Sequence, residues 1–289
     1  MKLEQAKIDV MICTKDRPAE LALLLQSLRT QTYQNFDIYI YEDRSTAKIE
    51  QNYYLVSLIN RLKLEDHRVT VWRNEIRYGV TRLRQMMVDK IMKEGTGESI
   101  LRLDDDNILN IDYISKLMQV INEGYDIACG VVPLLIYPEH KRKNEKVKPF
   151  IADVKLNEDG EITYFGDDLG YCYLDDEIIP TPHFRSMALI KKEVHKKIKY
   201  PENLGFCSFR EEEFFSFKAI VKGYKIGVNT GAIAYHINSP AGGERTKEYY
   251  DNLQFNNKLL NDFTKQLVKD NGDFITKYKE KFKDGKIKN

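Results

Sequence analysis

The sequence predicts an α/β protein built on a mostly parallel central sheet flanked by helices, with a helical C-terminal extension. Three observations carry that prediction. Short β-rich apolar runs alternate with amphipathic helical stretches through the first half of the chain, the signature of βαβ units. The polar clusters CTKDR, EDRS and DDDN each stand at the end of one of those runs. A chain of 289 residues is also long enough to bury a substantial core.

The elements follow in order. IDVMIC (8–13) is a β-rich apolar run ending at Thr14, after which Pro18 opens a helix with Leu21, Leu24, Leu25 and Leu28 at helical spacing. FDIYIY (36–41) alternates as a strand and runs into EDRS; a helix near 49–63 and a strand VTVWR (69–73) come next. A helix near 80–94 places Val80, Leu83, Met87 and Ile91 on one face, and SILRL (99–103) is a strand that delivers Asp104, Asp105 and Asp106. A helix (111–123) and the strand DIACGVV (126–132) complete this half. Beyond 133 the pattern loosens into a charged loop at about 138–149 and a hairpin end in NEDGEITYF (157–165), where Asp-Gly favours a tight turn. REEEFFSFKAIVKGYKI (210–226) reads as a helix closed by Gly223 and followed by a strand, and AIAYH (232–236) as another strand end. From about 244 the chain reads as helical, with Tyr250, Leu253, Leu259, Leu260 and Phe263 available to pack on the body.

Composition removes several function classes. Lys+Arg (45) and Asp+Glu (44) nearly cancel, so no field exists to hold nucleic acid by charge. The basic stretches HKRKNEKVK (140–148) and KYKEKFKDGKIKN at the end read first as solvated, with peripheral contact to an anionic membrane as the sharper alternative. No stretch approaches the ~20 apolar residues of a membrane span. Asp9 and Lys15 interrupt the only apolar run near the N-terminus, which does not read as a signal peptide. Cys13, Cys129, Cys172 and Cys207 are widely separated and form no CxxC pair, which argues against a zinc site or disulfide framework and suits a reducing cytoplasm.

Three adjacent aspartates repel one another and are disfavoured in strands, so either the run is a solvated turn or a cation belongs there. A calcium loop starting at Asp104 would need an oxygen ligand, Gly and Glu where Ile108, Leu109 and Ser115 stand, and fails. A Mg²⁺ or Mn²⁺ ion with a diphosphate needs only one or two carboxylates, and Asp104-x-Asp106 at a strand end presents alternate residues to one side. In parallel sheets ligands gather beyond the carboxyl ends of the strands, and all three polar clusters lie there.

These motifs together resemble the family 2 glycosyltransferases of GT-A fold. VMICTKDRP resembles that family's opening strand and turn, LLLQSLRTQTY its first helix, and YEDRS its Asp-Asp-Gly-Ser. YGVTRLRQ resembles the Gly and Ala-Arg-Asn segment, DDD the Asp-x-Asp, and REEEFFSFKAIVKGYKI the Glu-Asp segment before its helix and Gly-Tyr. Lys15, Asp16, Arg44 and Gln85 depart from the family's aromatic, Asn, Gly and Asn, and Glu212 stands where Asp is usual. The match covers about 8–240, and it implies a GT-A domain over 1–240 with a nucleotide-sugar half (about 1–132) and an acceptor half (about 133–240), followed by the extension 241–289.

The resemblance also implies roles. Thr14, Arg17, Asp43, Arg84, Asp104 and Asp105 would bind the donor, with Asp43 accepting a hydrogen bond from the base and Arg84 facing the diphosphate. Asp106, with Asp104 and His236, would hold Mn²⁺ or Mg²⁺; His236 reads equally as a histidine hydrogen-bonded at a strand end. Glu212 would be the general base, and Lys218 and Gly223 fix that register. Glu211 and Glu213 would raise its pKa and a helix N-terminus would lower it, leaving the sign open. The implied activity is metal-dependent inverting transfer from a nucleotide sugar, UDP-linked by preference, to a saccharide or lipid-linked acceptor in polysaccharide biosynthesis. Tyr164, Phe165, Tyr171, Tyr173 and Phe184 are candidates to stack on acceptor sugars or to pack the core. Two rivals stand beside it: a nucleotidyltransferase making a nucleotide sugar, which would want a Gly-rich basic loop that CTKDRPAEL lacks, and a non-catalytic saccharide-binding protein.

Overall fold

The computed structural model describes residues 6–136, 150–166, 168–204, 209–239, 247–283 and 286–287. Cys207, the basic stretch 140–148 and part of the basic tail lie outside the described residues.

The N-terminal half follows the alternation of the sequence. β1 (Ile8–Thr14), α1 (Pro18–Arg29), β2 (Phe36–Asp43), α2 (Tyr53–Leu64), β3 (Val69–Asn74), α3 (Val80–Glu94) and β4 (Ser99–Asp104) succeed one another. β1, β2 and β4 are almost wholly buried, as strands covered on both faces must be, which is why they read as continuous apolar runs. β1 pairs in parallel with both β2 and β4, and β2 with β3, so these strands all end on one edge. There Thr14 lies opposite Glu42 and Cys13 opposite Asp104.

Beyond β4 the sheet is mixed rather than parallel. The chain turns into β5 (Asn107–Leu109), α4 (Tyr113–Asn122) and β6 (Ile127–Val131), then a small antiparallel hairpin of β7 (Val154–Leu156) and β8 (Ile162–Phe165). β9 (Ile178–Pro180), β10 (Ala188–Lys191), α5 (Lys192–Lys197), α6 (Glu211–Val221) and β11 (Ile226–His236) follow. The strand order is β3-β2-β1-β4-β10-β6-β11-β5, with β9 on β11. β10 runs antiparallel to both β4 and β6, whereas β11 is parallel to β6. The strand expected after the Gly223 helix end and the strand end expected at 232–236 are one strand, interrupted by a register shift between Val228 and Ile233.

α7 (Lys247–Asn271) and α8 (Phe274–Glu280) form the C-terminal extension, and they share the main core. Leu260, Phe274, Ile275 and Tyr278 are buried, while Tyr250 is exposed. The Tyr278 hydroxyl accepts from the Ile226 amide at 3.0 Å and lies 3.1 Å from the Thr181 carbonyl oxygen. Among the described residues no helix is long and apolar enough to cross a membrane.

Candidate active site

Each polar cluster at the sheet edge is fixed by the others. The turn after β1 is tied to the turn after β2: the Asp16 amide donates to Ser45 Oγ at 3.0 Å, and the Thr46 amide donates to Asp16 Oδ1. Asp16 and Arg44 both have left-handed backbones, with φ of 53° and 54°. Asp tolerates that region; arginine does so at a cost that glycine would avoid.

Asp43 is buried, and its carboxylate organises the start of α3. Oδ1 accepts from the Tyr78 amide at 3.1 Å and Oδ2 from the Gly79 amide at 3.1 Å. Gly79 has φ of 81°, so the loop that reaches Asp43 needs glycine there. The expected contact to a base thus has to share oxygens already engaged with backbone.

The three aspartates are tolerated because each meets a cation. β4 ends at Asp104 and the chain turns, and Asp104 and Asp106 meet different partners instead of presenting one face together as strand alternation predicted. Asp104 pairs with Arg84. The Arg17 Nη1 lies 2.9 Å from Asp105 Oδ1 and 3.1 Å from Asp106 Oδ2, and its Nη2 donates to the Ser239 carbonyl at 3.2 Å. His236 Nε2 lies 3.2 Å from Asp106 Oδ2. β11 brings it there: Asn107 is opposite His236 in the β5–β11 ladder, and the Ile237 amide donates to the Asp106 carbonyl at 2.9 Å. Burial raises the Asp105 carboxyl to about 6 against the opposing pull of Arg17, and Thr14 donates its hydroxyl to it. Burial also acts on Asp106, but His236 and Arg17 outweigh it and hold its pKa below the ordinary value.

Asp106 and His236 fit a divalent cation as a pair. One carboxylate and one imidazole converge, leaving further positions to phosphate oxygens and water, the way Mg²⁺ and Mn²⁺ bind with nucleotides. Asp104 does not join them; its carboxylate turns to Arg84, because that buried guanidinium needs a counter-charge. Among the described residues no group of three or more His, Cys, Asp and Glu is gathered for a metal.

Arg84, expected to face a diphosphate, is instead engaged by two carboxylates, Asp104 and Glu211. Glu211 also meets Arg102 Nη2 at 2.7 Å, and the same Nη2 lies 2.6 Å from Glu212 Oε1. Glu212 is the more open of the two acids, with 18% of its side chain exposed against 1% for Glu211. Burial pushes the Glu212 carboxyl up, but Arg102 and Arg84 overcome it and hold the pKa below the ordinary value. Glu213 points elsewhere, 3.0 Å from Arg210 Nη1, and burial with the neighbouring Glu212 charge lifts it to about 7 in spite of Arg210.

Sequence reasoning missed Arg102 and the role of Glu211. The available signal was an arginine inside the otherwise apolar run SILRL. On the expected acceptor side, Phe165 packs against His183 with ring centroids 4.5 Å apart and planes tilted by 33°, and it lies under the Arg210 guanidinium at 4.6 Å. Tyr164 is exposed, whereas Phe184 is fully buried against Arg102 and Phe215 and belongs to the core. Tyr173 donates its hydroxyl to the Asp168 carbonyl at 2.9 Å and packs on the core.

A family model described as Glycosyl transferase family 2 matches residues 9–198. The chain belongs to glycosyl transferase family 2. Its relatives include an uncharacterized glycosyltransferase of Haemophilus influenzae, 30% identical over 122 residues that make up 42% of this chain and 36% of that protein. Another is the GalNAc(5)-diNAcBac-PP-undecaprenol beta-1,3-glucosyltransferase of Campylobacter jejuni, 27% identical over 41% of this chain and 36% of that protein. The matches thus span about a third of the relatives' length.

Solved structures of similar fold include GalNAc-T7 with UDP, GalNAc and Mn²⁺, at a TM-score of 0.63 and 15% identity, covering 83% of this chain and 45% of that one. S. aureus TarS 1-349 with UDP-GlcNAc gives a TM-score of 0.56 at 15% identity, covering 86% and 65%. The mannosyltransferase PcManGT of Pyrobaculum calidifontis with GDP-Man and Mn²⁺ gives 0.53 at 13% identity, covering 83% and 59%. At these identities the likeness establishes the GT-A fold for this family 2 chain.

Proposed function

We propose that this family 2 chain is a metal-dependent inverting glycosyltransferase that moves a sugar from a nucleoside diphosphate, UDP first among them, to a hydroxyl of a saccharide or lipid-linked acceptor. The observation that carries the reading is that the chain holds both parts such a transfer needs, the Asp106–His236 corner at the turn after β4 and a part-exposed Glu212 at the start of α6, paired with Arg102 of β4. Residues 1–132 form the donor half in this reading, residues 133–240 the acceptor half, and 241–289 the extension.

Glu212 accepts the proton of the acceptor hydroxyl as that oxygen bonds to the sugar's anomeric carbon and the bond to the diphosphate breaks, the electron pair leaving with the nucleotide. A carboxylate kept ionised by Arg102 is in the right state to take that proton, and such help is typically worth about 10²–10⁴-fold in rate. Thr14, Arg17, Asp43, Asp104 and Asp105 line the donor side, where Arg17 supplies fixed positive charge. Arg84 reaches the diphosphate only by sharing itself with Asp104 and Glu211. Asp106 and His236 would hold Mn²⁺ or Mg²⁺, which when bound neutralises charge building on the leaving diphosphate.

Neighbours solved with UDP, UDP-GlcNAc and Mn²⁺ support a UDP donor, while one solved with GDP-Man keeps the alternative base in view. The undecaprenol-linked name of one relative supports a lipid-linked acceptor. The deciding experiment incubates the protein with Mn²⁺ and a panel of UDP- and GDP-sugars and follows nucleoside diphosphate release with and without acceptor. Acceptor-stimulated, Mn²⁺-dependent UDP release is expected. Pyrophosphate formation from a sugar phosphate and a nucleoside triphosphate would mark a nucleotidyltransferase instead, and binding without turnover a saccharide-binding protein.

A further inference from the structure

Arg102 sits in the middle of β4, between Leu101 and Leu103, with 0% of its surface exposed. A guanidinium taken out of water in a central strand survives only with counter-charges and polarisable neighbours around it. Its Nη2 lies 2.7 Å from Glu211 Oε1 and 2.6 Å from Glu212 Oε1. The ring faces of Phe184 and Tyr200 stand 5.6 and 5.5 Å from its central carbon.

The sharing of one Nη2 between two acids would be an even contest if Glu211 had no other partner. It has one: Arg84 pairs with Glu211 on one side and with Asp104 on the other. Charges therefore alternate along a single file, Asp104–Arg84–Glu211–Arg102–Glu212. The three middle side chains are 7%, 1% and 1% exposed, whereas Asp104 and Glu212 are 21% and 18% exposed. The file reaches the surface at its two ends, one on the donor side and one at the proposed proton acceptor.

We propose that Arg102 is a positioning residue for the sugar transfer: through its Nη2 it aims the Glu212 carboxylate and keeps it ionised, while Glu211, held by Arg84, balances the remaining charge. The inference rests on the reading of Glu212 as the proton acceptor. The groups facing Glu212 support it. Arg102 comes from β4 and Arg84 from α3; Glu211 and Glu213 flank it on its own helix; Tyr200 precedes the helix and His183 comes from the loop before β10. Burial is the largest influence on the Glu212 carboxyl; without Arg102 only the more distant Arg84 opposes it among the arginines, and the carboxyl holds its proton to higher pH.

The test compares wild type with Arg102→Met, Arg102→Lys and the double variant Arg102→Met/Glu211→Gln, which removes one buried charge of each sign, leaves Arg84 paired with Asp104, and keeps the test open if the single variant fails to fold. Turnover is measured against pH with Mn²⁺, UDP-sugar and acceptor saturating, alongside UDP affinity. The acid limb of turnover is expected to move up by about one to three pH units in the Met and double variants, the usual effect of an arginine beside a carboxylate. It should return part of the way in the Lys variant, with UDP affinity within about twofold throughout. A loss equal at all pH values, or an unmoved limb, overturns the proposal.

A ¹³C NMR titration of the Glu212 carboxyl, assigned against Glu212→Gln, gives a readout free of turnover. Its midpoint should lie below 4.5, the ordinary value, in wild type and rise in the double variant. A midpoint that does not move overturns the role of Arg102 on its own. Wild-type turnover in Glu212→Gln would instead overturn the reading of Glu212 as the base, whatever the titration shows.

Discussion

At the scale of single residues, charge pairing decides what each acid can do. Asp106 meets Arg17 and His236 at the turn after β4, so its loss removes the carboxylate of the proposed metal pair while leaving the apolar core untouched. Asp106→Ala should abolish the Mn²⁺-dependent part of UDP binding in a folded protein, read by calorimetry with and without the metal; unchanged Mn²⁺ dependence would count against the site. The adjacent glutamates of α6 should separate in kind. Glu212→Gln should cut turnover by about 10²–10⁴-fold with little change in UDP affinity and a smaller fall in melting temperature than Glu211→Gln, since Arg102 keeps Glu211. Glu211→Gln should chiefly destabilise, by about 3–5 kcal/mol, since it strips a counter-ion from the buried Arg84 and Arg102. Thermal melts and turnover on the two variants check the contrast. The acids of this site were legible in the sequence as clusters at strand ends. Which cation each acid meets was not, because Arg17, Arg84, Arg102 and His236 come from distant segments and only the folded sheet edge brings them together.

At the scale of elements, legibility followed length and period. The first strands and helices were readable because buried parallel strands are continuous apolar runs and their helices carry one apolar face. β9 (Ile178–Pro180) and β10 (Ala188–Lys191) are too short to show a period, yet β10 is a central strand between β4 and β6. β11 read as two pieces because Asn229, Thr230 and Gly231 interrupt its apolar pattern at the register shift. The helical extension was readable from its spacing, but its share in the core was not. There Phe217 of α6 meets Phe274 of α8 at 5.5 Å between centroids, and the Tyr278 hydroxyl bonds the backbone at the start of β11. Tyr278→Phe leaves those buried backbone groups short of a partner and should cost about 1–3 kcal/mol in urea unfolding. A loss near zero would mean that α8 is only laid against the body.

At the scale of the whole molecule, buried titratable groups pull stability in opposite directions with pH, and variants separate the pulls. His195, between Tyr200 and Phe215, is pushed by burial from 6.5 down to about 3. The folded protein refuses a proton that the unfolded chain accepts, so this residue costs stability progressively as pH falls below 6.5. Glu213 behaves in the reverse sense. Burial and the Glu212 charge lift it from 4.5 to about 7, so the folded protein keeps a proton that the unfolded chain releases, and stability falls as pH rises across that window. Asp105, lifted to about 6, adds to the second pull and His183, lowered to about 4, to the first, which leaves the wild-type profile shallow near pH 5–6. The differences between proteins are therefore the sharper measurement. His195→Leu should gain on wild type as pH is lowered from 6.5 to 5, by up to about 2 kcal/mol at ~1.4 kcal/mol per unit. Glu213→Gln should gain on wild type as pH is raised from 5 to 7. Urea unfolding of the three proteins at pH 5, 6 and 7 decides the matter: parallel profiles, or the two variants diverging from wild type in the same direction, would show that these groups do not titrate as their burial requires.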